Sequence, residues 1–146
     1  MENNTIKQLS IFIENREGRL DEVLHVLGEN DINIVALSLA DTEDYGMLRL
    51  IVSDPLKAKM ILKEAGITSM VTDVVAIKVS HATGSLSSAM HVIVEAGINV
   101  EYMYCFANGA EASAILKTDE PDKLVEVLGK SGFAVYKELE AYNANA

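Results

Sequence analysis

The sequence is poor in cysteine, in basic residues and in long apolar runs. Of its 146 residues, 1 is cysteine, 12 are Lys or Arg and 22 are Asp or Glu, which gives a formal net charge of −10. The single Cys105 excludes an intrachain disulfide and a multi-cysteine metal cluster, and such sparse usage is typical of a reducing compartment. The deficit of basic residues argues against nucleic acid and anionic membranes as partners, because both are bound by clustered Lys and Arg.

The sequence also lacks a recognisable targeting or membrane-spanning segment. The first ten residues, MENNTIKQLS, contain no apolar signal-peptide core. No apolar run approaches the roughly 18 residues that a membrane-spanning helix needs. We therefore expect a cytoplasmic protein. Hydrophobic residues make up 49% of the chain, so a packed core is expected and disorder is not.

What the sequence does contain is a tandem repeat. At an offset of 66 residues, the separation of Gly18 and Gly84, the chain matches itself along both halves without an insertion. The sequence therefore predicts two domains of about equal size, residues 1–73 and 74–146. The matched pairs include Gly18/Gly84, Leu20/Leu86, Ile32/Ile98, Asn33/Asn99, Pro55/Pro121, Lys57/Lys123, Leu62/Leu128 and Gly66/Gly132.

Each copy has the order strand, helix, strand, strand, helix, strand. The second helix of copy one is predicted to begin at Asp54-Pro55, since Asp suits the N-cap and Pro the first turn, and to end at a left-handed Gly66. This order predicts an α+β fold of two ferredoxin-like βαββαβ domains, each an antiparallel four-stranded sheet with two helices on one face. The first helix has apolar residues at i, i+3, i+4 and i+7, namely Leu20, Val23, Leu24 and Leu27.

Alternation along the second strand of each copy predicts which side chains face the helices. The opposite sheet face is expected to carry three aromatics in copy two, Tyr102, Tyr104 and Phe106. These rings either cover one another and the hairpin or form a docking surface for another sheet or subunit. The residues assigned to the helix-covered core are Val35, Leu37 and Leu39 in copy one and Glu101, Met103 and Cys105 in copy two.

A glycine marks the corner between the first strand and the first helix of each copy. Gly18 and Gly84 stand one residue before the helical pattern. Glycine lets backbone N–H groups approach a ligand closely, and the positive end of the helix favours a carboxylate or phosphate. The alternative is that each glycine serves only the turn.

The segment IENREGRLDEVLHVLGENDINIVALSLADTEDYGMLRLIVSD, residues 13–54, resembles the ACT domain, an amino-acid-binding regulatory module. The resemblance rests on the strand-loop-Gly-x-Leu-helix opening, the INI start of the second strand and the βαββαβ order. These features recur in copy two, so the resemblance covers nearly the whole chain.

The resemblance implies a set of ligand-binding residues. In the ACT domains of a serine-regulated dehydrogenase the corner reads ENRPG, and residues 14–18 here read ENREG. By position, Asn15 and Asn33 would contact the effector, while copy two places His81 at the first position and keeps Asn99 at the second. The complete candidate set is Asn15, Arg16, Gly18, Arg19, Leu20, Asn33, His81, Gly84, Ser85, Leu86 and Asn99.

In a βαββαβ copy the corner and the start of the second strand lie at opposite ends of the sheet. One copy therefore cannot contact a small molecule with its corner and its second-strand start together. Two copies side by side can, because the corner of one lies near the second-strand start of the other. Helix-end amides suit an α-carboxylate, and asparagine oxygens suit the ammonium group. Pairing between two chains would use residues of the same copy; pairing within the chain predicts one site from Asn15, Gly18 and Asn99 and another from His81, Gly84 and Asn33.

Two histidine–glutamate pairs on the predicted helices are candidate metal ligands. His25 with Glu29 and His91 with Glu95 each form an i, i+4 pair. A solvated helix surface is the simpler interpretation, because a metal site would need a third ligand that the sequence does not place. His81 also has a second interpretation, as a surface histidine.

Two features of the sequence could indicate an enzyme, the arginines beside Gly18 and the single cysteine. Arg16 and Arg19 beside a glycine resemble the phosphate-gripping loop of acylphosphatases, but copy two has Ala82 and Ser85 there, and no catalytic asparagine can be placed. Cys105 is expected to be a small core residue and not a nucleophile.

We therefore expect a regulatory protein and not an enzyme, with no cofactor or metal. The first hypothesis is a stand-alone regulator, forming a homodimer, that binds an amino acid between ACT-like domains and signals to a partner such as a metabolic enzyme regulated in trans. The alternative is a regulatory or structural subunit without ligand, whose aromatic sheet face binds protein.

Overall fold

The computed structural model describes residues 3–14, 16–41, 44–80, 82–108 and 111–144. The chain divides into two compact units, Lys7–Thr72 and the residues from Asp73 onward together with the N-terminal residues up to Ile6. Within the described residues, no helix combines the length and apolar character required to cross a lipid bilayer. The elements are β1 (Ile6–Glu14), α1 (Arg19–Glu29), β2 (Ile34–Asp41), β3 (Tyr45–Val52), α2 (Pro55–Glu64), β4 (Met70–Val79), α3 (Ser85–Glu95), β5 (Tyr102–Asn108), β6 (Glu111–Lys117), α4 (Pro121–Lys130) and α5 (Glu138–Tyr142).

The first unit is an antiparallel sheet with both helices on one face. Strand β3 lies between β1 and β2 and pairs antiparallel with each. Alternate residues of β1 and β3 face α1 and α2, because successive side chains of a strand point to opposite faces. The resulting core contains Leu9, Ile11, Ile13, Val23, Leu27, Ile32, Leu48, Leu50, Val52, Ala58, Leu62 and Ile67.

The second unit repeats this arrangement with β6 between β4 and β5. A short segment continues the sheet beyond β4, where Ala134 O accepts from Lys78 N–H at 2.9 Å and Tyr136 N–H donates to Ala76 O at 2.7 Å. The core of this unit contains Val75, Ile77, Val79, Ala89, Ile93, Ile98, Ala114, Leu116, Leu124 and Leu128.

The α+β content and the paired copies are as predicted, but the fourth strand of each copy differs from the prediction. The residues at the end of copy one begin β4, which continues unbroken from Met70 to Val79 into the first strand of copy two. At the end of copy two the expected strand is reduced to one bridge, between Ile77 and Val135, and α5 follows. The duplication leaves no linker, so one strand serves both sequence positions and the described residues form six strands.

The local signals at the second helix are confirmed. Asp54 is the N-cap of α2, and its carboxylate accepts a hydrogen bond from the backbone N–H of Lys57 at 3.2 Å. Pro55 is the first helical residue, and Gly66 has a φ of +82° just beyond the helix end. These residues act through local backbone chemistry, so their effect does not depend on tertiary context.

Four residues assigned to the core from sequence are exposed instead, namely Leu37, Leu39, Glu101 and Cys105. Leu37 lies opposite the buried Leu50, so it faces the helix side as predicted, yet it and Leu39 are nearly half exposed. Cys105 is likewise exposed. In their own units, β2 and β5 pair on one side only. Val35 is buried as predicted and Met103 packs against the second core, so alternation gave the correct face. The prediction of burial was wrong for the four exposed residues.

The aromatic face of copy two is not an open surface. Tyr102, Tyr104 and Phe106 are half-buried. The fully buried Tyr136 lies against this face, with its ring centroid 5.7 Å from that of Phe106 and its hydroxyl 2.7 Å from Ser113 Oγ. Neither interpretation included Tyr136, which covers Phe106 from a later part of the chain.

Candidate functional site

The strand-to-helix corners of the two copies share one backbone conformation. Gly18 and Gly84 each have a φ of +87°, in the left-handed region that side chains disfavour, and each precedes an 11-residue helix. Sequence reasoning proposed both glycines as corner residues, and the conformation requires glycine at each position. The matched geometry makes the two corners comparable as binding sites.

Backbone donors are available at both corners. In α1, Glu22 N–H donates to Gly18 O at 3.0 Å, and the preceding amides of Leu20 and Asp21 have no intrahelical acceptor. In α3, Ser88 N–H likewise donates to Gly84 O at 2.9 Å. Within the described ranges, a Cβ atom placed on either glycine would meet nothing within 4 Å. The amides of the first helical turn are the groups that a small anion would approach at each corner.

Charged side chains surround the corner of copy one. Arg16 Nε lies 2.8 Å from a carboxylate oxygen of Glu14, and Arg19 pairs with Glu22. The Nε atom of Arg19 is buried and has no partner among the described residues. Asp21 and Glu22 place two carboxylates in the first turn, where they interact favourably with the helix dipole and compete with an incoming anion.

Serine replaces these charges at the corner of copy two. The hydroxyls of Ser80 and Ser85 are 2.6 Å apart, and Ser80 Oγ also accepts from the N–H of Ala82 at 3.2 Å. The Ser88 hydroxyl donates to Gly84 O at 3.1 Å. The first turn of α3 contains no acidic residue. An anion approaching this helix end meets neutral hydroxyls and no repelling carboxylate.

A family profile described as an ACT domain pair matches residues 4–141. The chain belongs to this family. Membership implies a regulatory module that binds small ligands, which agrees with the resemblance stated from sequence. No curated protein sequence matches the chain.

Solved structures show the same fold in several ACT proteins and in one close relative. Protein BT0572 from Bacteroides thetaiotaomicron is 40% identical, covers 95% of this chain and 96% of its own, and gives a TM-score of 0.91. The ligand-free regulatory subunit of aspartate kinase from Thermus thermophilus is 15% identical over 88% of this chain and 93% of its own, with a TM-score of 0.61. Aspartokinase III from E. coli, solved with lysine and aspartate, is 17% identical over 88% of this chain and 32% of its own, with a TM-score of 0.53.

The second-strand asparagines of the ACT pair lie far from the corner of their own copy. The end of β1 is paired at Tyr45, whereas β2 begins opposite Val52. Tyr45 and Val52 are seven residues apart along β3, which corresponds to about 23 Å at roughly 3.3 Å per residue. The corner after β1 and the start of β2 are therefore separated by about that distance. Asn33 and Asn99 are exposed, and the backbone N–H of Asn33 donates to Ser53 Oγ at 2.9 Å.

The structure brings together only some of the predicted ACT ligand residues. Asn15 and His81 lie outside the described residues. The sequence reasoning did not include Glu14, Glu22 and Ser80, which contact predicted residues at the corners. The sequence signal for the two glutamates was their spacing from an arginine, since Glu14 is two residues from Arg16 and Glu22 is three residues from Arg19. Gathered at the first corner are Arg16, Gly18, Arg19 and Leu20, and at the second Gly84, Ser85 and Leu86.

The histidine pairs of the two ACT copies lie on exposed helix surface. His25 Nε2 is 3.0 Å from Glu29 and His91 Nε2 is 3.5 Å from Glu95, with both pairs largely exposed. Among the described residues, no group of three or more His, Cys, Asp or Glu side chains is placed to hold a metal ion.

A further exposed ion pair lies on α4. The hydrogen bond from Lys130 at 2.8 Å, and then its charge, lowers the pKa of the Glu126 carboxyl, and the same contact raises the pKa of Lys130. Both groups are solvated, so the pair belongs to the helix surface and not to either corner.

Proposed function

We propose that this ACT domain pair is a regulatory protein without catalytic activity, which binds an amino acid at its strand-to-helix corners and signals to a partner enzyme. The observation that carries the proposal is the repeated corner, in which a left-handed glycine precedes a helix and a Cβ placed on that glycine would meet no described atom within 4 Å. The first amides of such a helix have no intrahelical acceptor. The ligand's carboxylate would accept from these amides, and its ammonium group would donate to asparagine oxygens. The E. coli aspartokinase III structure contains lysine and aspartate, which makes amino acids the first class to test.

The proposed site joins a corner of one ACT copy to the second-strand start of another. Pairing within the chain would use Asn15, Gly18 and Asn99 for one site, with His81, Gly84 and Asn33 for the second, as the resemblance implies. We also propose a domain boundary at residues 73–74, which lies within β4, and a homodimer. We propose a ferredoxin-like βαββαβ order for each copy, in which the fourth strand of copy one is the start of β4 and that of copy two is reduced to one bridge. These assignments rest on the repeat and on the family.

The two corners would not bind the carboxylate equally. At the first corner Arg16 is paired with Glu14 and Arg19 with Glu22, so both arginines are engaged and the carboxylate of Asp21 remains in the first turn. At the second helix end stand Ser85 and Ser88. Carboxylates near a helix N-terminus stabilise it by about 0.3–1 kcal/mol, and the same charges repel a second anion. We therefore expect tighter carboxylate binding at Gly84 than at Gly18.

The proposed mechanism of regulation is linkage. A ligand that contacts one arrangement of the ACT copies better than another shifts the protein toward that arrangement. A partner enzyme that binds the two arrangements unequally is then regulated, and it must change the ligand affinity by the same factor.

Thermal unfolding against the twenty amino acids tests the proposal. A ligand at a hundred times its dissociation constant stabilises the folded state by about 2.7 kcal/mol, and each kcal/mol raises the melting temperature by roughly 2–4 °C in a protein of this size. Combined Asn33→Ala and Asn99→Ala, which removes one asparagine from each proposed site, should abolish the shift, whereas the control Asn143→Ala at the end of α5 should keep it. Twenty flat traces with the wild-type chain would contradict the proposal.

A further inference from the structure

An exposed apolar patch lies at the hairpin end of one sheet face in the first unit. We define the hairpin patch as Phe12, Ala40, Tyr45 and Met47. Phe12 pairs across the strands with Met47, which pairs with Ala40, and Tyr45 is the diagonal neighbour of Phe12 on the same face. Phe12 is 67% exposed and Tyr45 is 58% exposed. Neighbouring exposed aromatics of this kind mark an interaction site more often than an ordinary surface.

The tandem repeat shows what covers the equivalent positions in copy two. At the 66-residue offset, Phe12 corresponds to Lys78, Ala40 to Phe106 and Met47 to Ser113. All three contact the buried Tyr136: the Phe106 ring centroid is 5.7 Å from that of Tyr136, Ser113 Oγ is 2.7 Å from its hydroxyl, and Lys78 Nζ is 4.9 Å from its ring centroid. An aromatic ring supplied from outside the three strands therefore completes this face in copy two.

Copy one does not supply the equivalent ring. The residue that corresponds to Tyr136 is Met70, which begins β4 and is 59% exposed. The chain continues into β4 here, so the turn that brings Tyr136 back over the sheet in copy two has no counterpart. The high exposure of Phe12 shows that its ring remains uncovered.

We propose that the hairpin patch is covered by the hairpin patch of a second copy of this chain, packed face to face about a two-fold axis. Charge favours this occupant. The chain carries −10, so two copies repel each other except where their surfaces are neutral. The patch contains no charged side chain. Of the charged residues beside it on the same face, Glu14 is paired with Arg16 at 2.8 Å, and Arg49 lies between Ser10 and Ser38.

The shape of the patch also suits a second copy. The large rings of Phe12 and Tyr45 stand beside small residues on the same face, Ala40 and Ser38. Two sheets that pack face to face interdigitate their side chains, so the rings of one copy can lie over the small residues of the other. A two-fold contact of this type is self-complementary and closes at the dimer.

The inference rests on the homodimer in the proposed function, and it assigns the hairpin patch as the interface of that dimer. Its failure is distinguishable from failure of ligand binding, because the amino-acid panel reports on the corners of the wild-type chain and the mass of the protein reports on the patch. The edge strands offer the competing route to self-association, since β2 is apolar from Ile34 to Ala40 apart from Ser38.

Sedimentation equilibrium of the full chain is the first test. The wild-type protein should sediment at twice the 15.8 kDa mass of one chain. Phe12→Ser with Tyr45→Ser should weaken the dimer about ten-thousandfold, since each substitution occurs in both copies and truncating one interface anchor costs about tenfold or more. Leu37→Ser with Leu39→Ser is the matched control, because it removes two exposed apolar side chains from the opposite face of the same sheet and should leave the dimer intact.

Hydroxyl-radical footprinting of the wild-type chain gives a second readout that needs no variant. Phe12, Tyr45 and Met47 should become protected as the concentration rises through the dimer range, while the exposed Met60 on α2 should not. A monomer at all concentrations, a dimer that survives the patch substitutions, or a dimer lost only in the edge-strand control would each overturn the proposal. Capture of a different protein on a monomeric chain would do the same.

Discussion

The same substitution at two glycines of one stretch is predicted to have opposite effects on stability. Gly18 precedes α1 with a φ of +87°, whereas Gly28 lies within α1 and has no left-handed backbone. A Cβ atom at either position would meet nothing within 4 Å. Steric clash therefore contributes to neither substitution, and only the backbone preference differs between Gly18→Ala and Gly28→Ala.

The magnitudes follow from these conformations. The left-handed region costs a non-glycine residue about 1–2 kcal/mol, of which about 0.4–1 kcal/mol is offset because alanine reduces the entropy of the unfolded chain. Gly18→Ala should therefore lower the free energy of unfolding by about 1 kcal/mol. Gly28→Ala should raise it by about 0.5–1 kcal/mol, because alanine is the better helix former.

Urea unfolding followed by circular dichroism measures both variants against the wild type. The two variants should differ by about 1.5–2 kcal/mol, with Gly18→Ala the less stable and the m-value unchanged. Gly84→Ala and Gly129→Ala repeat the comparison in copy two, since Gly129 lies within α4. A neutral or stabilising effect of Gly18→Ala would refute the claim that the corner demands a left-handed residue.

Three further outcomes are expected. Asp54→Ala should lower the free energy of unfolding by about 1 kcal/mol in urea titration because its carboxylate caps α2, whereas Glu120→Ala should not, since that N-cap makes no side-chain hydrogen bond. Tyr136→Phe should cost about 1–2 kcal/mol by leaving the buried Ser113 hydroxyl unpaired, and adding Ser113→Ala should recover part of this loss; no recovery would place the cost elsewhere. Cys105 should react with a thiol reagent such as DTNB in the native protein, and a thiol that reacts only after unfolding would contradict its exposure.

Local backbone chemistry made much of the fold predictable from sequence. Gly18 and Gly84 identified the strand-to-helix corners. Asp54 and Pro55 identified the start of α2, and Gly66 identified its end. Each of these residues acts through its own conformation or through a hydrogen bond to a neighbouring residue. The repeat then carried each assignment to the other copy. None of these features requires knowledge of what packs above or below the chain.

Coverage by distant elements was not predictable. Alternation placed Leu37 and Cys105 on the helix side, but it could not show that these two side chains remain exposed there. The return of Tyr136 over the sheet and the formation of α5 depend on contacts with residues far earlier in the chain, such as the hydrogen bond from Glu138 N–H to Asn3 O at 3.0 Å. A residue's own segment contains no signal for such contacts.

The candidate site was predictable only in part for the same reason. Sequence identified the glycine corners, but the ion pair of Arg19 with Glu22 and the serine pair of Ser80 with Ser85 became visible only in the structure. The ligand itself would be enclosed by residues from separate copies. The placement of Asn33 and Asn99 relative to a ligand therefore stays a prediction.

The most direct test of the central claim is an NMR titration of the ¹⁵N-labelled chain with the amino acid that gives the largest thermal shift. The account predicts that the backbone amides of Leu20 and Asp21, and of Leu86 and Ser87, move most, with those at α3 saturating first. A titration in which the largest changes lie away from both helix ends would contradict it.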